Sequence, residues 1–190
     1  MADKAPYDAP AQDYDRQMAA AGYAGPERAV AALAALGADR AAPILDFGVA
    51  TGLVGEALAA RGFTTIDGLE PVPEMAAVAR AKPGLYRTIF PCAWDAPLPV
   101  GPGTYRNSAA IGVLAPGYAP ASVIDAGLRV IGPGGLFVFS LSDLARNDPD
   151  YVGRINEHVD CGAAEIAFRE YGRFLPGAGL KADIYVLRKR

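Results

Sequence analysis

This sequence has little to offer metal or redox chemistry. Its 190 residues include two cysteines, Cys92 and Cys161, and one histidine, His158. Two distant cysteines do not make a disulfide framework, and no Cys or His cluster has metal-ligand spacing. The expectation is a reduced, cytoplasmic protein that uses no metal. The opening "MADKAPYDAP" has neither the basic stretch nor the apolar core of a signal peptide. No apolar run approaches the roughly 20 residues that span a bilayer, so no membrane partner is expected. An excess of basic residues is missing too. With Lys+Arg at 18 against Asp+Glu at 21, the net charge of -3 argues against a dedicated nucleic-acid binder. Neither a GxSxG elbow nor a P-loop occurs, which removes the central evidence for hydrolase or nucleotide-triphosphatase chemistry.

Hydrophobic residues make up 52% of the chain, enough at this length to bury one sizeable core. The first residues, through about Pro10, are rich in Ala, Pro and Asp without periodicity and read as a mobile tail. "PERAVAALAALG" combines a proline at a helix start, apolar residues at helical spacing and Gly37 at the stop, predicting a helix over 26–36. "APILDFG" then reads as a strand and "GLVGEALAARG" as a helix ended by Gly62.

The strand-helix order repeats. "FTTIDGLE" precedes "PVPEMAAVARAK", "YRTIFPC" precedes a proline-rich loop, and "YRNSAAIGVL" precedes "APASVIDAGLRVIG". "GLFVFSLS" precedes a polar helical stretch that the "NDPD" turn starts and that carries His158, read as a surface residue. Such alternation implies right-handed crossovers and a mostly parallel sheet covered on both faces. The last two strands, 164–174 and 181–188, are joined by "LPGAG", too short for a crossover helix, so they should pair antiparallel. The fold class expected is α/β: one doubly wound, Rossmann-like sheet closed by a C-terminal hairpin. Ligands of such sheets bind outside the carboxyl ends of the strands.

One such end carries the most informative stretch, "ILDFGVATGLVGEAL" over 44–58. Glycine-rich turns between a first strand and its helix serve dinucleotides and S-adenosylmethionine alike, and Glu70, at the end of the second strand, suits a ribose in either class. Asp46 separates the two. A carboxylate at the mouth of the first strand repels a diphosphate and attracts an ammonium or sulfonium. Its other reading, as a cap on the turn's backbone amides, is compatible with that role.

"ILDFGVATG" with "IDGLEPVPEM" resembles the first two motifs of class I S-adenosylmethionine-dependent methyltransferases, and "RVIGPGGLFVFS" resembles the turn before their fifth strand. "ATGLVGEALAARGF", "GLYRTIFPC" and "PLPVGPGTY" are similar to the Williams-Beuren-region methyltransferase-like group. The resemblance implies that Gly48, Ala50 and Gly52 let the backbone approach the methionine part of the cofactor. Glu70, a surface carboxylate on this reading, would accept hydrogen bonds from the ribose. Pro71 and Met75 would flank the adenine, with Ala93, Trp94 and Ile111 also at cofactor-binding positions. Residues 1–24 form an arm or lid in which Tyr14 and Tyr23 close over the cofactor, and 25–190 form the methyltransferase domain. The catalytic residue stays unassigned.

Three positions depart from the family pattern. Ala50 replaces the middle glycine, so a methyl group enters the turn. Ala93 stands where an acid would meet the adenine amino group, with Asp95 nearby, and Tyr105-Arg106 stands where an aromatic residue and aspartate are usual. These changes weaken cofactor recognition and leave the fold intact. The resemblance implies methyl transfer from S-adenosyl-L-methionine to a small-molecule acceptor, leaving S-adenosyl-L-homocysteine. The alternatives are a non-catalytic cofactor-binding or interaction protein and, further off, a nicotinamide-dependent oxidoreductase. Oligomeric state is not readable from the chain.

Overall fold

The computed structural model describes residues 10–190. The expected N-terminal tail lies outside the described residues, apart from Pro10. Two helices, α1 (Ala11–Ala20) and α2 (Gly25–Ala35), precede β1 (Ile44–Phe47), α3 (Leu53–Ala60), β2 (Ile66–Glu70), α4 (Pro73–Arg80) and β3 (Thr88–Pro91). The chain continues through β4 (Tyr105–Ala110), α5 (Ser122–Val130), β5 (Ile131–Ser142), α6 (Pro149–Asp160), β6 (Ala164–Leu175) and β7 (Leu180–Lys189).

One seven-stranded sheet results, in the order β3-β2-β1-β4-β5-β7-β6. The first five strands pair parallel, while β7 enters between β5 and β6 antiparallel to both. The strand order reverses between β1 and β4, which places a crevice outside their carboxyl ends.

Alternation along each strand supplies two cores. Leu45, Phe47, Leu69, Phe137 and Phe139 pack beneath the face covered by α5 and α6. Ile44, Ile66, Val138 and Ile184 pack on the other face, with Val30 and Leu33 of α2 and Leu58 of α3. Strands buried on both faces read as unbroken apolar runs, which is why β1 is legible in the sequence. Each fully buried large apolar side chain contributes about 1.5 to 3 kcal/mol, and Phe47, Phe137 and Phe139 are of this kind. The Phe139 ring also stacks on Tyr185 of β7 at 5.2 Å, tying the C-terminal pair to the parallel part of the sheet.

Two features differ in detail from the sequence reading, and the proline-rich loop after β3 agrees with it. Part of the expected N-terminal arm is the regular helix α1, whose Tyr14 and Met18, four residues apart, enter the core. Two apolar positions on an otherwise polar helix make too narrow a stripe to stand out in sequence. β5 begins at Ile131 rather than after the glycines, because Ile131 pairs with Tyr105 and a register shift absorbs the "GPGG" turn before Leu136 pairs with Asn107. In place of a helix between β3 and β4, a proline-rich loop borders a cleft of about 430 Å³ against α5, lined in part by Phe47, Trp94, Leu98 and Val123.

Candidate functional site

The carboxyl end of β1 passes into a turn held in the left-handed region. Gly48 has φ 69°, Ala50 φ 48° and Gly52 φ 101°. Ala50 is the one non-glycine residue with positive φ among the described residues, at a steric cost of roughly 1 to 2 kcal/mol. Backbone bonds hold the turn: the Gly48 and Val49 amides donate to the Leu69 carbonyl at 2.8 and 3.1 Å, and the Gly52 amide donates to Val49 at 2.8 Å.

Side-chain bonds from the next strand complete it. The Ala50 amide donates to Glu70 Oε2 at 2.7 Å, and the Val72 amide donates to Glu70 Oε1 at 2.9 Å. Glu70 is therefore not the surface carboxylate expected from its position at a strand end. Only 2% of it is exposed, because the turn and the start of the next loop close over it. Burial pushes its pKa up, against the two backbone amides, which favour the charged form.

Asp46 is fully buried. Burial raises its carboxyl to about 7, the hydrogen bond from Tyr86 pulls it down, and the like charge of Glu70 pushes it up. The Tyr86 hydroxyl donates to Asp46 Oδ2 at 2.7 Å and accepts from the Gly55 amide at 3.1 Å. Asp46 Oδ1 has no hydrogen-bond partner among the described residues. A buried carboxylate oxygen with neither donor nor counter-ion is costly to the folded chain and has its full capacity free for a ligand.

A second network ties α1 to this turn. The Thr51 hydroxyl donates to Asp15 Oδ1 at 2.5 Å, and Lys82 Nζ bonds Asp15 at 2.8 Å and Glu56 at 3.1 Å. Tyr14 is 5% exposed beside it, in the cluster that Met75 and Ala50 also join. The Tyr23 hydroxyl donates to the Ile111 carbonyl at 3.5 Å, just past β4, and its ring meets Phe174 edge-on at 5.2 Å.

The structure thus joins Asp46, Ala50 and Glu70 through direct bonds or like charge, with Gly48 and Gly52 in the same turn and Pro71 between Glu70 and Val72. Tyr23 and Ile111 form a second group. Ala93 is exposed, and Trp94 packs against the other core, facing Tyr118 at 6.4 Å, with its Nε1 unpartnered. Tyr105 and Arg106 have structural partners: the Tyr105 hydroxyl donates to Asp67 at 2.9 Å, and Arg106 donates to the Pro133 carbonyl at 2.9 Å. His158 is not a free surface residue, since its Nε2 lies 2.6 Å from Asp125 and joins α6 to α5.

Sequence reasoning did not single out Tyr86, Thr51 or Asp15. Tyr86 lay within a quoted stretch, "GLYRTIFPC", but nothing in its neighbours shows a contact with a residue 40 positions earlier. Chemically, the cluster offers a buried negative site lined by backbone amides. It brings together no nucleophile and base.

No family model matches the chain. Human methyltransferase-like protein 27 is 39% identical over 133 residues, which cover 68% of this chain and 54% of that protein. The chain thus spans about half the length of the curated relative it matches. Among solved structures, an S-adenosylmethionine-dependent methyltransferase from Mesorhizobium loti superposes with a TM-score of 0.62 at 18% identity, covering 87% of this chain and 100% of that one. The [4+2]-cyclase SpnF superposes with a TM-score of 0.64 at 17% identity, covering 86% and 80%. At these identities the solved structures speak for the fold, a mostly parallel sheet closed by an antiparallel pair. The chain thus has the fold of the class I S-adenosylmethionine-dependent methyltransferases, with methyltransferase-like protein 27 among its relatives.

Proposed function

We propose that the protein transfers a methyl group from S-adenosyl-L-methionine to a small-molecule acceptor. The observation that carries this reading is Asp46 Oδ1, a buried carboxylate oxygen without a partner at the end of β1, beside the glycine turn. That group fits a ligand with a cationic amino-acid head and does not fit a diphosphate.

Asp46 neutralises the ligand's ammonium. Glu70 uses one lone pair on each oxygen for the amides of Ala50 and Val72, and a carboxylate has about four such sites, so capacity remains for two ribose hydroxyls. The backbone of Gly48, Ala50 and Gly52 lies along the methionine part, and Pro71, Met75, Ala93, Trp94 and Ile111 border the adenosine. Tyr14 and Tyr23 belong to the N-terminal arm, of which the described part, 10–24, closes the site of the domain formed by 25–190. When bound, the cofactor supplies an already activated sulfonium methyl, so the protein's task is chiefly alignment, worth about 7 to 11 kcal/mol in favourable intramolecular models. A general base is not required for a nucleophile that is neutral or already deprotonated. The short loops at the strand ends carry few cations, which suits a compact acceptor better than a polyanion.

A second reading, cofactor binding without methyl transfer, is favoured by the missing acid at Ala93, and SpnF shows that this fold also serves a cyclase. Titration calorimetry and thermal unfolding test the first step. S-adenosylmethionine and S-adenosylhomocysteine should bind, and ligand at 100 times its dissociation constant should stabilise the fold by about 2.7 kcal/mol. Binding of NAD with neither of these overturns the proposal. Saturable binding with no methylated product across a panel of amines, thiols, phenols and acids, read by mass spectrometry, favours the second reading.

A further inference from the structure

Glycines of the motif are usually assigned to a ligand, yet Gly55 makes room for a residue of the chain itself. A Cβ on Gly52 or on Gly68 would stand 3.4 Å from the Tyr86 ring, and one on Gly55 would overlap the Tyr86 hydroxyl. The missing side chain of Gly55, in the first turn of α3, thus leaves the space that the phenol fills, while Gly52 and Gly68 lie at ordinary contact with its ring. Its hydroxyl is wired in one direction. The Gly55 amide can only donate to it, so the phenolic proton is left for Asp46 Oδ2, which must accept. A carboxylate satisfies that arrangement better than a carboxylic acid does, and with Oδ2 engaged, Oδ1 is the oxygen left over.

We infer that Tyr86 is a positioning residue for cofactor binding, holding Asp46 ionised and oriented so that Oδ1 meets the ligand's ammonium. The inference rests on the proposed role of Asp46. The charged groups around the pair are Glu70 from β2, which faces Asp46, and Glu56 from α3, which faces Tyr86. Glu56 is paired with Lys82, which in turn holds Asp15 of α1. Within that setting the phenol is the one side-chain donor to Asp46 among the described residues, opposing both its burial and the charge of Glu70.

The test compares the parent with Tyr86→Phe, which keeps the ring in the glycine-lined space. S-adenosylhomocysteine is the probe, because it retains the ammonium and lacks the sulfonium. Its dissociation constant is measured by calorimetry from pH 5.5 to 9, with circular dichroism to check the fold. For the parent, affinity should rise as pH climbs through about 7 and then level off. The variant should lose about fivefold near pH 7 and about tenfold at pH 5.5, its rise displaced upward by roughly one pH unit, and should recover toward the parent at pH 9. A merely structural tyrosine would lower affinity by one factor at every pH, and that parallel profile overturns the assignment. No binding by the parent at any pH would instead overturn the cofactor reading, and this one with it. NMR titration of the Asp46 carboxyl carbon in the ligand-free proteins gives a readout independent of the cofactor. Its midpoint should move up in the variant, and an unmoved or lowered midpoint overturns the inference.

Discussion

Asp46 and Asp67 lie on neighbouring strands, one residue apart in register, and both are buried, yet their surroundings differ sharply. Asp67 receives Arg87 Nε at 3.0 Å, Arg87 Nη2 at 2.5 Å and the Tyr105 hydroxyl at 2.9 Å. Asp183, on β7, is equally enclosed and holds Arg146 at 3.0 Å and Arg169 at 3.2 Å. In both cases the chain carries its own cation. Asp46 has a phenol on one oxygen, nothing on the other, and a second carboxylate nearby. A buried charge costs several kcal/mol unless paired, and this chain pairs two of its buried aspartates while Asp46 Oδ1 has no partner among the described residues, which supports the role proposed for it toward a ligand.

The comparison breaks most visibly at Asp46 itself. Asp46→Asn should weaken S-adenosylhomocysteine binding by about 100-fold or more, since it removes a desolvated charge pair at constant shape. Stability should move the other way. The folded carboxyl sits near 7 against an ordinary 3.8, so the folded state holds the proton more tightly and the parent loses stability as pH rises from about 4 through 7. That loss is on the order of 4 kcal/mol at most, and the asparagine variant should be spared it, unfolding at higher denaturant than the parent at pH 8 without ligand. If the variant is the less stable at pH 8, Asp46 belongs with the structural aspartates.

Asp183→Asn should show the opposite pattern. It leaves Arg146 and Arg169 without their carboxylate, but both guanidinium groups are partly exposed, so the cost falls below that of a fully buried pair, at about 1 to 3 kcal/mol. Affinity for the same probe should stay within about twofold, because the site on β7 is remote from the β1 turn. A large loss of affinity with little loss of stability would collapse the distinction between the two kinds of aspartate.

The smallest effect expected is at Ala50. Relieving φ 48° by Ala50→Gly should stabilise the fold by about 1 kcal/mol, less the entropy that glycine adds to the unfolded chain, and should tighten probe binding modestly. Denaturant titration and calorimetry check both. A destabilised variant would mean that the Ala50 methyl, packed with the α2 and α3 core, contributes more than its backbone strain costs.

Much of the site was legible because its residues sit at punctuation points. Asp46 closes an apolar run, Gly48 and Gly52 mark a turn, and Glu70 closes the next strand. Periodicity finds such positions, and physical chemistry then assigns a cation to the carboxylate. Burial was not legible. Glu70 read as exposed because strand ends usually are, and only the amides of Ala50 and Val72 folding back onto it reveal otherwise. Tyr105 and Arg106 read as departures from a family pattern, whereas one completes the Asp67 cluster and the other bonds the glycine turn near the start of β5.

Local pattern therefore determined the strand-helix order and the antiparallel closure, because hydrophobic period and turn chemistry act over a few residues. The tertiary structure alone decided which carboxylates are paired. Arg87 reaches Asp67 across 20 residues, Arg146 reaches Asp183 across 37, and Tyr86 reaches Asp46 across 40. Such partners meet only when strands and helices stack, and burial then turns the difference between an arginine and a phenol into the difference between a charge paired within the chain and one that is not.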